Sequence, residues 1–130
     1  MKFNTNKLFN LITVLLVAFV AWQYFNPPAG ISVHQAQALV QQGGLLLDVR
    51  EPDEFAEGHA PMAHLIPLGE VAQRLPELAA YKNQPVAVIC RSGRRSAKAV
   101  TLLQNEGFTQ VSNVSGGMTA WQAAGLPVVK

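Results

Sequence analysis

Val86-Ala87-Val88-Ile89-Cys90-Arg91-Ser92-Gly93-Arg94-Arg95-Ser96-Ala97 is the stretch on which the fold turns. Gln84-Pro85 opens it, and Val86 to Ile89 is an unbroken apolar run. That is the pattern of a strand covered on both faces. Beyond the polar loop, Ala97, Ala99, Val100 and Leu103 fall at helical spacing, which predicts a helix over Ser96–Glu106, closed by Gly107. A buried strand that feeds a helix through a short loop is the unit of a parallel α/β sheet. The loop begins with Cys90, the only cysteine of the chain, at the carboxyl end of a strand, where open α/β sheets bind ligands.

The flanking sequence repeats the alternation. Ser32 with Gln35 is a capping-box pattern, and Ala36, Leu39 and Val40 continue a helix that Gly43-Gly44 stops. Leu45 to Val49 reads as a second buried strand ending at Asp48. Glu51 to Gly58 reads as a short helical turn, and Leu65-Ile66-Pro67 as a brief strand. Val71, Leu75 and Leu78 suggest a helix over Gly69–Ala80, which Pro76 weakens or splits. Val111 to Val114 is a further strand, and Gly116-Gly117 turns into a last helix over Met118–Ala124 containing Trp121. The expected class is α/β, with a mostly parallel central sheet flanked by helices on both faces.

Leu8 to Phe25 is different in kind. Only Asn10, Thr13 and Gln23 interrupt these 18 apolar-rich residues. As a helix they span about 27 Å, close to the roughly 30 Å hydrocarbon core of a bilayer. Lys2 and Lys7 precede the run, and no Lys or Arg follows until Arg50. The positive-inside bias therefore puts the N-terminus in the cytoplasm and the remainder across the membrane, on the periplasmic side of a bacterial inner membrane. Trp22, Tyr24 and Phe25 suit the far interface. A cleaved signal peptide, with a secreted or periplasmic product, is the alternative. Its small-residue site is poorly supplied by Phe19 and Ala21 or by Pro28 and Gly30. A helix packed on protein is a third reading. The expected organisation is a transmembrane or signal-anchor segment over 1–25, a Pro/Gly linker over 26–30, and one folded domain over 31–130.

Charge narrows the function. The 130-residue chain carries ten Lys and Arg against eight Asp and Glu, and beyond residue 30 the two signs balance at eight each. That excludes a dedicated nucleic-acid binder, which needs a basic surplus. A single cysteine excludes a disulfide framework and a multi-cysteine zinc site. The spacing of His34, His59, His64 and Cys90 matches no metal-ligand pattern, so no metal is expected. Within the balanced domain the charges are segregated. Asp48 to Glu57 holds five acids, while Arg91, Arg94, Arg95 and Lys98 surround the cysteine.

A strand-to-helix loop presents backbone N–H groups and the positive end of a helix dipole, which together cradle an anion. Gly93 lets the loop curl. The same features depress a thiol pKa and expose a nucleophilic thiolate to an anionic substrate. Cations at a helix start are unfavourable unless an anion is present, so the arginines point the same way. The competing reading of Cys90 is an inert buried thiol.

Five stretches, in order, resemble the rhodanese-like sulfurtransferases. They are Leu47-Asp-Val-Arg-Glu-Pro-Asp-Glu-Phe55, Gly58-His59, Ile66-Pro67-Leu68, Cys90-Arg-Ser-Gly-Arg-Arg-Ser-Ala97, and Gly116-Gly117-Met-Thr-Ala-Trp121 with Gly125-Leu126-Pro127. The resemblance implies a rhodanese-like fold. It implies transfer of sulfane sulfur from a small anionic donor such as thiosulfate to Cys90, as a persulfide, and then to a cyanide or thiol acceptor. No cofactor is implied. Cys90 would be the nucleophile, with Arg91, Ser92, Gly93, Arg94, Arg95 and Ser96 holding the donor and Asp48 and Arg50 supporting the site. His59 matches a family position read as structural. The loop closes at Arg95 as a six-residue ring, the size associated with sulfur, whereas related phosphatases place one more residue before their arginine. Phosphatase or arsenate reductase activity, and a non-catalytic anion- or partner-binding module, are the alternatives. Ala60, Met62 and His64 replace the family's Ile, Gly and Asn beside the expected pocket mouth, which bears on donor preference.

Overall fold

The structure, a computed structural model, describes residues 4–25 and 30–130. Lys2, residues 26–29 of the expected linker, and the side chains of Tyr24 and Phe25 lie outside the described residues. After α1 (Thr5–Phe25) come α2 (Val33–Gln41), β1 (Leu45–Asp48), α3 (Pro52–Glu57) and β2 (His64–Leu65). They are followed by β3 (Val86–Ile89), α4 (Arg94–Asn105), β4 (Val111–Asn113) and α5 (Gly117–Ala123). The four strands form one parallel sheet in the order β2-β1-β3-β4.

Every residue of β1 and β3 is buried, and alternate residues serve opposite faces. Leu45, Leu47, Val86 and Val88 pack with Ala99 and Leu103 of α4 and with Val71, Leu78 and Phe108. Leu46, Ala87 and Ile89 pack with Val33, Ala36 and Val40 of α2 and with Met118 and Trp121 of α5. This is why both strands read as continuous apolar runs: neither face meets water. The Trp121 indole N–H, buried with the second face, donates to the Pro127 carbonyl at 2.8 Å.

The strand order reverses between β1 and β3, and their carboxyl ends lie side by side, with Asp48 opposite Ile89. That crevice is where such sheets bind ligands, and Cys90 opens into it from β3.

Local signals were met in most places. The Ser32 hydroxyl accepts from the Gln35 N–H at 3.1 Å, and the Gln35 side chain accepts from the Ser32 N–H at 2.8 Å. Ile31 bridges in parallel to Val114. β4 stops one residue short of expectation because Val114 makes that bridge instead. The helix expected over Gly69–Ala80 is not formed. Leu68–Glu70 and Leu75–Tyr81 are separate 3₁₀ segments. Pro76 lies in the first turn of the second, where its missing N–H breaks no hydrogen bond, whereas a helix running through it would lose one. The brief strand near Leu65 starts at His64 and excludes Ile66, whose side chain is buried with the α4 face. The helix expected from Ser96 begins at Arg94, because Gly93 adopts φ 110° and turns the chain into α4 earlier.

Met62, which stands where the resembled family has glycine, is the one described non-glycine residue with positive φ, at 66°. Its side chain is 77% exposed, so packing contributes little to hold it there. The left-handed conformation costs an L-residue about 1–2 kcal/mol, offset in part by glycine's greater unfolded-state entropy. Met62→Gly should therefore stabilise the domain by about 0.5–1 kcal/mol, read as a higher urea midpoint with an unchanged slope.

Candidate active site

Cys90 directly follows β3 and is only 1% exposed. Its sulfur is nevertheless surrounded by polar groups. The Gly93 N–H donates to Sγ at 3.1 Å, and the Ser96 hydroxyl lies 3.2 Å from it. Burial alone would push the thiol pKa up. Hydrogen bonding from the Ser96 hydroxyl and from the backbone N–H groups of Ser96, Gly93 and Ser92 outweighs that and holds it below the ordinary thiol value. The groups that favour the thiolate belong to the curled loop and the first turn of α4.

The loop is held from outside by α5. The Met118 N–H donates to the Cys90 carbonyl at 2.8 Å and the Thr119 N–H to the Arg91 carbonyl at 3.1 Å. Contact this close needs glycine beside it: a Cβ on Gly117, whose φ is 53°, would fall 2.3 Å from the Cys90 carbonyl oxygen. Gly116-Gly117 is thus more than a turn signal, because it lets α5 dock on the cysteine loop.

The arginines divide by role. Arg95 forms a bidentate pair with Glu54 of α3, at 2.5 and 2.8 Å. Its guanidinium is engaged across the site rather than left to an incoming anion. Arg91 and Arg94 are exposed, and Arg91 helps wall a groove of about 450 Å³ with Arg50, Glu54, Glu57, Thr119 and Gln122. Ser92 is exposed on the loop, while Ser96 is fully buried.

Asp48 and Arg50 are also buried, and they bond to each other. The Asp48 carboxylate accepts from the Arg50 Nε at 3.0 Å, from Nη2 at 2.8 Å and from the Arg50 backbone N–H at 3.0 Å. The guanidinium also donates to the carbonyls of Gly58 at 2.9 Å and Glu54 at 3.3 Å. The pair ties the end of β1 to α3 and so fixes the groove's acidic wall.

The histidines have other partners than the sulfur or are exposed. The His59 ring stacks on Phe55, with centroids 3.6 Å apart, and its Nδ1 meets the Phe55 carbonyl at 2.7 Å. His64 lies 3.6 Å from Glu77, and His34 is exposed on α2. Among the described residues no cluster of His, Cys, Asp or Glu could hold a metal.

Two contributors escaped the sequence reading. Asn113 at the end of β4 accepts from the Ser96 hydroxyl at 2.5 Å and donates to the Gly93 carbonyl at 3.0 Å. A polar amide closing an otherwise ordinary strand was the available signal. Glu54 was one of five acids in a segment read only as a block. The opposite block around Cys90 was the cue that the two would pair.

A profile of the rhodanese-like domain matches residues 32–124. A sulfurtransferase of Allochromatium vinosum is 40% identical over 85 residues, covering 65% of this chain and 78% of its own length. Thiosulfate sulfurtransferase 16, chloroplastic, of Arabidopsis thaliana is 37% identical over 110 residues, covering 77% and 92%. The crystal structure of a rhodanese-related protein from Thermoplasma volcanium matches with a TM-score of 0.69 at 33% identity, covering 78% of this chain and 97% of that one. The chain belongs to the rhodanese-like family, and its relatives support a sulfurtransferase at family level.

The Arg95 pair holds the Glu54 carboxyl well down, to about 2 from 4.5. A depressed carboxyl contributes stability that is complete above its unfolded value and is lost as pH falls toward the folded one. The stability difference between the wild type and Glu54→Gln should therefore be constant above about pH 4.5 and shrink as pH is lowered toward 2, in urea titrations at successive pH values.

Proposed function

We propose that the domain moves sulfane sulfur from thiosulfate or a similar small anion to a thiophilic acceptor, through a persulfide on Cys90. The observation that carries this reading is a buried sulfur that accepts from the Gly93 N–H and lies beside the Ser96 hydroxyl at the start of α4. The Cys90 thiolate attacks the outer sulfur of thiosulfate. A new S–S bond forms as the S–S bond to the sulfonate breaks, and sulfite leaves with that bond's electron pair. A cyanide or thiol acceptor then attacks the outer sulfur, and the electron pair returns to Cys90. This is two-step covalent catalysis. The N–H groups that favour the thiolate also favour the negative persulfide. Ser92, Gly93 and Ser96 supply that cradle, while the exposed Arg91 and Arg94 raise the local concentration of an anionic donor. Arg95 acts through Glu54, and Asp48 with Arg50 holds the opposite wall. The groove beside Arg91 is the approach for the acceptor.

We assign the head to the membrane. α1 is long and apolar enough to cross a bilayer, and none of its Thr5–Trp22 window is buried against protein. Thr13, the polar residue in mid-helix, satisfies its hydroxyl on the Phe9 carbonyl at 3.0 Å. Lys7 before the apolar run that starts at Leu8, and the absence of Lys and Arg after it until Arg50, favour an anchored domain on the periplasmic side.

Cys90→Ser should abolish thiosulfate-to-cyanide transfer, by at least about 1,000-fold, and leave thermal unfolding near that of the wild type. The wild-type domain incubated with thiosulfate should gain the mass of one sulfur atom and lose it to cyanide. Undiminished turnover in Cys90→Ser would remove Cys90 from the reaction.

In membranes washed with alkaline carbonate, the intact chain from residue 1 should stay in the pellet, and deletion of residues 1–25 should release an active soluble domain. A soluble mature chain lacking the head would instead establish a cleaved signal.

A further inference from the structure

Ser96 has one hydroxyl proton and two neighbours that compete for it. Asn113 Oδ1, at 2.5 Å, can only accept, because its amide nitrogen is committed to the Gly93 carbonyl at 3.0 Å and that carbonyl cannot donate. With its proton on Asn113, the Ser96 oxygen presents only lone pairs to Cys90 Sγ, 3.2 Å away. That arrangement suits a protonated thiol, which then donates its S–H to Ser96. A thiolate has no proton to give and needs one from its neighbour, so Ser96 must turn its hydroxyl from Asn113 to sulfur.

We propose that Asn113 is a positioning residue that holds the Ser96 hydroxyl proton while Cys90 is a thiol and yields it when charge appears on Sγ. The proposal deepens the sulfurtransferase reading and takes from it only that Cys90 cycles between charged and uncharged forms. No proton passes along the chain. The thiol proton leaves to solvent, and the Ser96 hydroxyl merely reorients. When sulfane sulfur is taken up, the charge moves to the outer sulfur, Sγ becomes a neutral bridging atom, and the hydroxyl returns to Asn113. The Ser96–Asn113 bond thus follows the position of charge along the sulfur chain. By competing for the same proton it also opposes ionisation of the resting thiol.

The charged groups around this centre come from other elements. Arg95 at the start of α4 acts electrostatically on Cys90 but is neutralised in large part by Glu54 of α3. Arg91 and Arg94 flank the loop, and the mutually paired Asp48 and Arg50 end the adjacent strand. β4 and α5 carry no charged residue. The effect of Asn113 is therefore one of hydrogen-bond supply and not of charge.

The test is the pH dependence of Cys90 alkylation by iodoacetamide, which needs no sulfur donor and reads thiolate directly, checked by thiolate ultraviolet absorbance. Asn113→Ala should lower the apparent Cys90 pKa by about one unit, because Ser96 is freed to donate to sulfur. Asn113→Asp, which keeps the acceptor and adds charge, should raise it. In a Ser96→Ala background, Asn113→Ala should produce no shift, since the shared proton is gone. A fall of equal size with and without Ser96, or a rise in Asn113→Ala, would overturn the proposal. Should Asn113→Ala fail to fold, Asn113→Asp decides alone: its rise must be larger with Ser96 present than in Ser96→Ala, and an equal rise in the two backgrounds would overturn the proposal. Retained shifts in a protein that transfers no sulfur would refute the sulfurtransferase reading while leaving the switch standing.

Discussion

The Cys90 sulfur is buried just past the end of β3, with a backbone N–H donating to it. A thiolate in apolar surroundings would be too costly to form. The fold meets this by ending the apolar strand at Cys90 and curling the next residues so that their N–H groups point back at Sγ. Gly93 gives one N–H and, through its left-handed backbone, the turn that starts α4. Ser96 gives the hydroxyl, and α5 braces the loop from behind through the Cys90 and Arg91 carbonyls. Burial then becomes useful, because it excludes competing water while fixed dipoles replace solvation.

The surrounding charges serve geometry first. Asp48 with Arg50, and Glu54 with Arg95, join the end of β1 and α3 to the edge of the cysteine loop. The first pair is buried, and removing either partner would leave an uncompensated charge in the protein interior. The loop keeps its shape because the strand beside it is tied in place. Arg91 and Arg94 stay exposed beside the loop.

Much of this was readable from the residues. Continuous apolar strands, a capping box at Ser32 and Gln35, and punctuating glycines gave the alternation of strands and helices, because each is a local signal with a local cause. Cys90 stood out in the sequence because a lone thiol at a strand's end, followed by glycine and arginines, is unusual chemistry in one place. What escaped lay in long-range pairing. Nothing local says that Glu54 closes on Arg95, 41 residues later, or that Asn113 comes from β4 to accept from the Ser96 hydroxyl. The 3₁₀ segments escaped for a different reason: apolar spacing at Val71, Leu75 and Leu78 is met by either helix type, and Pro76 decided between them.

The balance of charges also gains a meaning. A domain with equal acids and bases looks neutral, yet five of its eight acids lie on the β1–α3 segment and four of its eight bases around Cys90, and folding joins the two groups through Glu54 and Arg95. The central claim is that Cys90 takes sulfur before any acceptor is present. Mixing the protein with excess thiosulfate and no acceptor, and measuring sulfite at early times, tests it most directly. The account predicts a burst of one sulfite per Cys90 that then stops. Sulfite released only after cyanide or a thiol is added would contradict it.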